Sequence, residues 1–367
     1  MLRIVISAVN FTEGGALTVL RDCLASAVAV LPAECEIVAL VNRKDLIDEP
    51  RIRLIAIPSS KKSWLHRLYW EWFGFMRISC ELKPALWLSL HDITPRVAVV
   101  RQAVYCHNSS PFYSIGLREA LMEPTFLMFN WFYALLYRIF IHRNYYVIVQ
   151  QSWLRDEFTK RMGHLPIVVA HPSLPTFKRR LTRSVQGPTF VIIYPALARV
   201  FKNIETLCEA CQILTRRGLE NFEVRLTILG TENRYARWLL RRFGHVSQIK
   251  FIGLQSKVEM ASHYNEADVV VFASKLETWG LPITEAKAQR RPLLVADIPY
   301  ARETVGNYNL VSFFPARSPD ILAELIQSMM TKTWQPTGNS CPNPLQPFAP
   351  DWEGLWHILT DGLLRDT

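Results

Sequence analysis

Short runs of β-branched and aliphatic residues alternate along this chain with longer segments of helical periodicity. LRIVISAVN at 2–10 comes first, and a helical pattern over 17–31 follows it. CEIVALV, IRLIAI, PALWLSL, QAVYCHN and YYVIVQ come next, then a helical segment over 152–162 and a closing run, IVVAHPS. These runs are apolar on both faces, the pattern of strands in a parallel sheet covered by helices on either side. A second series opens at 189: FVIIYPA, a helix in IETLCEACQILTRRG, VRLTILG, a helix over 232–243, IKFIG, a helix around VEMASHY, DVVVFAS, a helix after Pro282, and PLLVAD. Between the two series, LPTFKRRLTRSVQGP is basic, poor in apolar residues and bounded by prolines, so it reads as a linker. A length of 367 residues also suits two cores rather than one. The predicted organisation is an N-terminal α/β domain over 1–173, a linker over 174–188, a C-terminal α/β domain over 189–340 and a tail over 341–367. The tail follows a proline-rich stretch and holds a helix-like WEGLWHILTDGLLRD. Two open α/β domains are expected to take a ligand in the cleft between them, at the carboxyl ends of the strands.

Composition narrows this picture. Hydrophobic residues make up 50% of the chain and charged ones 20%, as in a globular protein and not a disordered one. The net charge of +10 is uneven: residues 1–180 carry 22 Lys and Arg against 14 Asp and Glu, whereas 181–367 carry 20 against 18. The first half is therefore expected to meet any acidic surface. No stripe of basic residues and no nucleic-acid motif is evident, which argues against a nucleic-acid partner. The seven cysteines are scattered and odd in number, as in a reduced cytosolic protein. Cys208 and Cys211 form a C-x-x-C inside a helical stretch with no second pair or nearby histidines, so no metal site is expected there. MLRIVISAVN reads as a strand and not as a signal peptide, so a cytoplasmic protein is expected.

Two stretches bear on membranes. SWLHRLYWEWFGFMR at 63–77 and FLMFNWFYALLYRIFIHR at 126–143 mix aromatic residues with arginines. Asn130, Arg138, His142 and Arg143 interrupt the second, so neither is a clean spanning segment. Both suit a helix lying in the headgroup region of an anionic membrane, and both also suit helices packed on the sheet, the second at least in part.

Three strand-to-helix junctions carry candidate chemistry. In YPALARVFKN, Arg199 and Lys202 stand just before a helix expected to begin near Asn203, where positive charge and unpaired N–H groups suit a phosphate. In SKLETWGLPITEAKAQRRP, Gly280 and Leu281 form a turn, Pro282 opens a helix, and Glu277 and Glu285 lie on either side, able to face one site. Each acid also has a structural account: Glu285 complements the helix dipole and Glu277 caps a loop. In SAVNFTEGGALTVL, Gly14 and Gly15 open a helix and leave room for a diphosphate or a sugar, without the G-x-G-x-x-G of nicotinamide sites.

The E-x7-E element with its embedded Gly-Leu-Pro, following EADVVVFAS, together with IKFIG and YPA…FKN, resembles the retaining nucleotide-sugar glycosyltransferases of family 4. Such enzymes have the GT-B fold, two Rossmann-like domains facing a cleft, with a C-terminal helix returning to the N-terminal domain. The resemblance runs through most of 189–306 and implies particular roles. Glu285 would hold the ribose hydroxyls, Glu277 the hydroxyls of the transferred sugar with the N–H groups of Gly280 and Leu281 beside it, and Lys202 the departing diphosphate. Gly14 and Gly15 would face donor and acceptor. His107, in VYCHNSSPF, matches the family's histidine at a strand end, and His91, in SLHDITP, is a weaker candidate of the same kind. Members often carry an arginine five residues before the lysine; Leu197 stands there, and Arg199 is the nearest substitute at the diphosphate. Trp279 and Gln289-Arg290-Arg291 also depart from the family pattern, at positions that bear on sugar choice.

No Asp-x-Asp is present, so no cofactor or metal is expected and charge neutralisation falls to Lys202 and a helix end. The acceptor is expected to be a lipid-linked saccharide at the inner face of the cell membrane, as in bacterial O-antigen, capsule or lipopolysaccharide assembly. A sugar-nucleotide epimerase of the same fold is the closest competing reading, and a non-catalytic basic binding protein the more distant one.

Overall fold

The computed structural model describes residues 2–173 and 189–363. The predicted linker, 174–188, lies outside them. The chain divides into two compact units, and the division departs from the sequence-based one. The first comprises Met1–Phe112, Asn130–Ser173 and Pro344–Thr367, and the second Tyr113–Phe129 and Leu174–Asn343.

In the first unit the strands are β1 (Arg3–Ser7), β2 (Glu36–Val41), β3 (Ile52–Ala56), β4 (Leu86–Ser89), β5 (Arg101–Cys106), β6 (Tyr146–Val149) and β7 (Ile167–Ala170). Its helices are α1 (Gly14–Val30), α2 (Trp64–Tyr69), α3 (Phe75–Leu82), part of α5 (Pro124–Arg138) and α6 (Ser152–Met162). The remaining helix of the first half, α4 (Leu117–Met122), belongs to the second unit together with the start of α5. All neighbours in the first sheet are parallel, in the order β3-β2-β1-β4-β5-β6-β7, and every residue of β4 and β7 is buried. The order in which successive strands are added reverses between β1 and β4, which makes their carboxyl ends the switch point where open α/β sheets take ligands.

The second unit repeats this plan with β8 (Phe190–Tyr194), β9 (Phe222–Leu226), β10 (Ile249–Phe251), β11 (Val269–Phe272), β12 (Leu293–Ala296) and β13 (Val311–Phe314). These strands are covered by α7 (Ile204–Arg216), α8 (Arg234–Phe243), α9 (Lys257–Glu266), α10 (Leu281–Ala288), α11 (Pro299–Val305) and α12 (Pro319–Met330). The order is β10-β9-β8-β11-β12-β13, all parallel, with the reversal between β8 and β11. Cys208 and Cys211 are buried inside α7, where burial raises both thiols above their ordinary value.

The proline-rich stretch before the C-terminus, which shows no periodicity in the sequence, supplies an eighth strand to the first sheet, β14 (Phe348–Ala349), parallel to β7. The helix α13 (Trp352–Thr360) follows and packs on α1, with the Trp356 indole donating to the Cys23 carbonyl at 3.1 Å. The C-terminal helix thus completes the first unit, as expected. The division at 173 coincides with the end of Asn130–Ser173, but the assignment of 113–129 to the N-terminal domain needs a correction, because Tyr113–Phe129 folds with the second unit. Its carboxylates Glu119 and Glu123 pair there with Lys275 and Arg199.

Candidate functional site

The β8–β11 reversal of the second unit brings together the two junctions that the sequence marked separately. After β8 the chain passes through Lys202 to Asn203, whose left-handed conformation (φ 56°) and side-chain bonds to the carbonyls of Ala273 (3.1 Å) and Ala316 (2.7 Å) turn it into α7. After β11 the chain passes through Ser274 and Lys275 to Glu277. The loops are stitched by Lys275 N–H to the Phe201 carbonyl (2.7 Å) and by the Tyr300 hydroxyl to the Ser274 carbonyl (2.6 Å). On this scaffold Lys202 Nζ meets Glu277 Oε1, with both side chains mostly but not wholly buried. The ammonium lies 5.7 Å from the Phe201 ring centre and 5.6 Å from that of Phe272, so the apolar wall is also a cation–π surface. Burial, reinforced by the Glu277 charge, raises the Tyr194 and Tyr300 hydroxyls well above their usual value and keeps both as neutral donors.

Gly280 sits at φ 90° just before α10, a conformation that L side chains resist. Pro282 has no N–H and that of Ile283 bonds the Gly280 carbonyl at 3.0 Å, which leaves the Leu281 N–H at the start of α10. Glu285 lies one turn in, and its Oε2 accepts from the Tyr264 hydroxyl at 2.6 Å. Its Oε1 has no protein partner among the described residues, so this carboxylate is oriented by Tyr264 and can still accept from a hydroxyl. Burial, then the Glu285 charge, pushes the Tyr264 hydroxyl well up. Leu281 is exposed at the same turn.

Two sequence-based expectations change in this unit. Arg199 does not stand free for a diphosphate: its guanidinium pairs with Glu123, whose other oxygen accepts from Val200 N–H at 2.8 Å. Its charge is therefore largely neutralised, although it shares the Phe201 ring (5.3 Å) with Lys202. Trp279 is buried, its indole donating to Thr284 Oγ1 at 3.0 Å and its carbonyl accepting from Thr304. It braces the turn, so its influence on a sugar must pass through the position of the Glu277–Gly280 loop.

Sequence reasoning missed Glu119, Glu123, Lys275 and Tyr264. Lys275 pairs with Glu119, which also accepts from the Tyr113 hydroxyl at 2.8 Å. Burial pushes the Glu119 carboxyl up, but Lys275, Gly116 N–H and Tyr113 outweigh it and hold the pKa below its ordinary value. The available signal was YSIGLREALMEP, which has helical periodicity and two acids four residues apart.

The first unit gathers its own cluster at the ends of β1, β4 and β5. Gly14 (φ 62°) starts α1; a Cβ added at Gly14 or Gly15 would meet nothing within 4 Å, and no side chain caps the helix. His107 follows β5 and is partly exposed, with Nδ1 3.5 Å from Asp92 Oδ1. Asp92 is buried and left-handed (φ 67°), and its Oδ1 also accepts from His107 N–H (2.7 Å), Asn108 N–H (3.0 Å) and the Tyr137 hydroxyl (3.0 Å). His91 differs from His107. It is 1% exposed, Nδ1 lies 2.8 Å from the wholly buried Glu71, and Arg67 donates to its carbonyl at 2.8 Å. His91 is therefore a core histidine and His107 the reachable one. Asp92, Glu71 and Arg67 were also missed; the acid beside His91 in SLHDITP was the one visible signal.

Among the described residues no cluster of three or more His, Cys, Asp or Glu could hold a metal ion, and no helix is long and apolar enough to cross a membrane.

Residues 176–339 match the model of the family described as "Glycosyl transferases group 1". A curated relative, the GtfA subunit of the UDP-N-acetylglucosamine–peptide N-acetylglucosaminyltransferase of Streptococcus pneumoniae serotype 4, is 29% identical over 159 residues. That stretch spans 42% of this chain and 30% of the relative. Among solved structures, WaaG, a glycosyltransferase involved in lipopolysaccharide biosynthesis, superposes with a TM-score of 0.65 at 12% identity, over 99% of this chain and 95% of that one. Sucrose-phosphate synthase from Thermosynechococcus elongatus gives 0.63 at 16% over 91% and 90%. Anabaena Alr3699/HepE in complex with UDP gives 0.60 at 15% over 98% and 95%. The fold is that of GT-B glycosyltransferases, and the second unit carries the glycosyl transferases group 1 segment.

Proposed function

We propose that this protein is a retaining glycosyltransferase of family 4 that moves a sugar from a nucleotide-sugar donor to a lipid-linked saccharide in bacterial surface-polysaccharide assembly, of the O-antigen, capsule or lipopolysaccharide kind. The observation that carries this reading is the β8–β11 reversal, where the Lys202–Glu277 pair and a half-satisfied Glu285 share one rigid frame. In this reading Glu285 Oε1 takes a ribose hydroxyl. The Leu281 N–H at the start of α10 and the Lys202 ammonium take the diphosphate, where charge grows as the glycosidic bond breaks. The departing phosphate accepts the acceptor hydroxyl's proton on the same face, so configuration is retained and Glu277 serves the sugar hydroxyls and not as a nucleophile. Lys202 and the helix end neutralise charge without a divalent metal, so chelation leaves turnover unchanged. Gly14, Gly15 and His107 bear on the sugar and the acceptor. HepE, solved with UDP, supports a nucleotide donor by likeness of fold, and WaaG supports a lipopolysaccharide role in the same way.

The membrane part of this reading rests on the first unit. Leu65 (79% exposed), Tyr69, Phe73 and Trp131 (82%) stand in water on α2, the turn after it and α5. Arg67 stacks on Trp64 at 4.8 Å, and Trp64 packs on Phe132. Exposed aromatic side chains suit the headgroup layer, which supports the reading of an enzyme at the inner face of the cell membrane. The test is transfer from a panel of UDP-, GDP- and dTDP-sugars to a lipid-linked saccharide. Transfer that Glu285→Ala removes supports the proposal; donor interconversion without acceptor would identify an epimerase instead.

A further inference from the structure

The second half of the chain is nearly neutral overall, yet its α8 reads RYARWLLRRF. Tyr235, Ala236, Leu239 and Phe243 bury one face, so the helical period turns Arg234, Arg237 and Arg241 to the other. Across from them α4 presents Arg118, whose guanidinium lies 4.2 Å from the centre of the Trp238 ring, with Leu121 and Met122 beside it. Together these residues line a groove of about 580 Å³ within the second unit.

Several arginines of the unit are neutralised by carboxylates. Arg199, Arg225 and Arg302 each pair with a carboxylate, and so does Arg242 at the rim, 3.7 Å from Glu209. Arg118, Arg234, Arg237 and Arg241 have no carboxylate partner among the described residues. Arg237 and Arg241 are steadied only by the carbonyls of Thr231 (3.2 Å) and Arg237 (3.3 Å). Four like charges around one concave surface repel one another until an anion enters, and guanidinium forks match phosphate oxygens.

We propose that this groove is a site for the phosphate headgroup of anionic membrane lipids, an inference that deepens, and rests on, the membrane part of the proposed function. The neighbouring apolar residues decide between a lipid and another polyanion. Leu117 is 88% exposed and Leu121 75%, both on α4 next to Arg118. A nucleic-acid backbone offers such leucines nothing, whereas a bilayer takes them below the plane in which the arginines hold phosphates. Trp238 at the junction of the two is suited to that interface.

The test is flotation of the full chain with phosphatidylglycerol-containing vesicles, with pure phosphatidylcholine vesicles for comparison. Each basic side chain at an anionic surface contributes roughly a fivefold factor in partitioning. Arg118→Ser, Arg237→Ser and Arg241→Ser combined should weaken binding to the anionic vesicles by about a hundredfold, and Leu117→Ser with Leu121→Ser by about tenfold. All five side chains are exposed, and an unchanged melting temperature and circular-dichroism spectrum confirm that the variants fold. Anionic-vesicle binding unaffected by the arginine changes would overturn the proposal, and so would groove-dependent binding to a single-stranded oligonucleotide without groove-dependent binding to vesicles. Trp131→Ser and Leu65→Ser probe the first unit alone. If only these lower binding, the groove proposal fails and the aromatic contact stands; if only the groove changes do, the groove proposal stands without it.

Discussion

The two sheets reverse their order of strand addition at equivalent points, β1/β4 in one unit and β8/β11 in the other, and each reversal holds a carboxylate facing a base. At β1/β4 the pair is Glu71 with His91, 0% and 1% exposed, closed over by Arg67, Phe11 and Phe75. At β8/β11 it is Lys202 with Glu277, 13% and 15% exposed, beside a Glu285 with one oxygen uncommitted. The same topology therefore serves two ends. A pair sealed from water holds its loops together, because either partner alone would be a buried polar group left without its neighbour. A pair at the rim can exchange its partner for a ligand, because the desolvation of its charges is incomplete.

The comparison breaks most visibly at the sealed pair. His91→Ala should remove the nearest polar neighbour of the buried Glu71 side chain, leaving Arg67 at 4.0 Å, and lower stability by about 1–3 kcal/mol, read as a fall in denaturant midpoint. A loss below about 1 kcal/mol would mean that the pair is not a structural lock. Lys202→Ala removes the cation at the site of growing charge; it should cut turnover by about a hundredfold or more, with stability little changed. A variant that unfolds as readily as His91→Ala would erase the distinction. Glu285→Ala should raise the donor KM by about ten- to a hundredfold, and Tyr264→Phe, which only frees the carboxylate to swing, by about fivefold. Gly280→Ala forces a side chain into φ 90°, although its Cβ would meet Phe272 no closer than 3.4 Å, so a stability loss of about 1–2 kcal/mol from backbone strain is expected.

The smallest effect is the acid dependence of the Tyr113–Phe129 segment. The Glu119 carboxyl is held below its ordinary 4.5 in the folded chain, so its contribution is complete above that pH and is lost as the pH falls through the folded value. Glu119→Gln should flatten the decline of stability below pH 4.5 by about a kcal/mol or less, since the pair keeps some contact with screening solvent. Acid titration of the two proteins, followed by denaturant melts, measures it.

These residues also show what was legible in the chain. The strands and helices of both sheets follow from local periodicity, and the Glu277–Glu285 element follows from a strand running into a Gly-Leu-Pro helix start, a signal contained in a few neighbouring positions. Glu119 and Lys275 are 156 residues apart, and Arg199 and Glu123 are 76 apart. No local pattern reveals such pairs, and their neglect is why Arg199 looked free and why 113–129 was placed in the first domain. Asp92 escaped notice because its importance lies in a left-handed backbone and four contacts converging on one oxygen. Two-residue β14 was hidden among prolines, since so short a strand has no periodicity to show.

The central claim is that a nucleotide sugar binds at the β8–β11 reversal through Glu285. Thermal unfolding of the parent protein and Glu285→Ala, each with UDP-, GDP- and dTDP-sugars, tests it most directly. At 100 times its dissociation constant a bound donor adds about 2.7 kcal/mol, so one nucleotide class should raise the parent's melting temperature by several degrees and leave Glu285→Ala nearly unmoved. Equal stabilisation of both proteins, or of neither by any nucleotide sugar, would contradict the account.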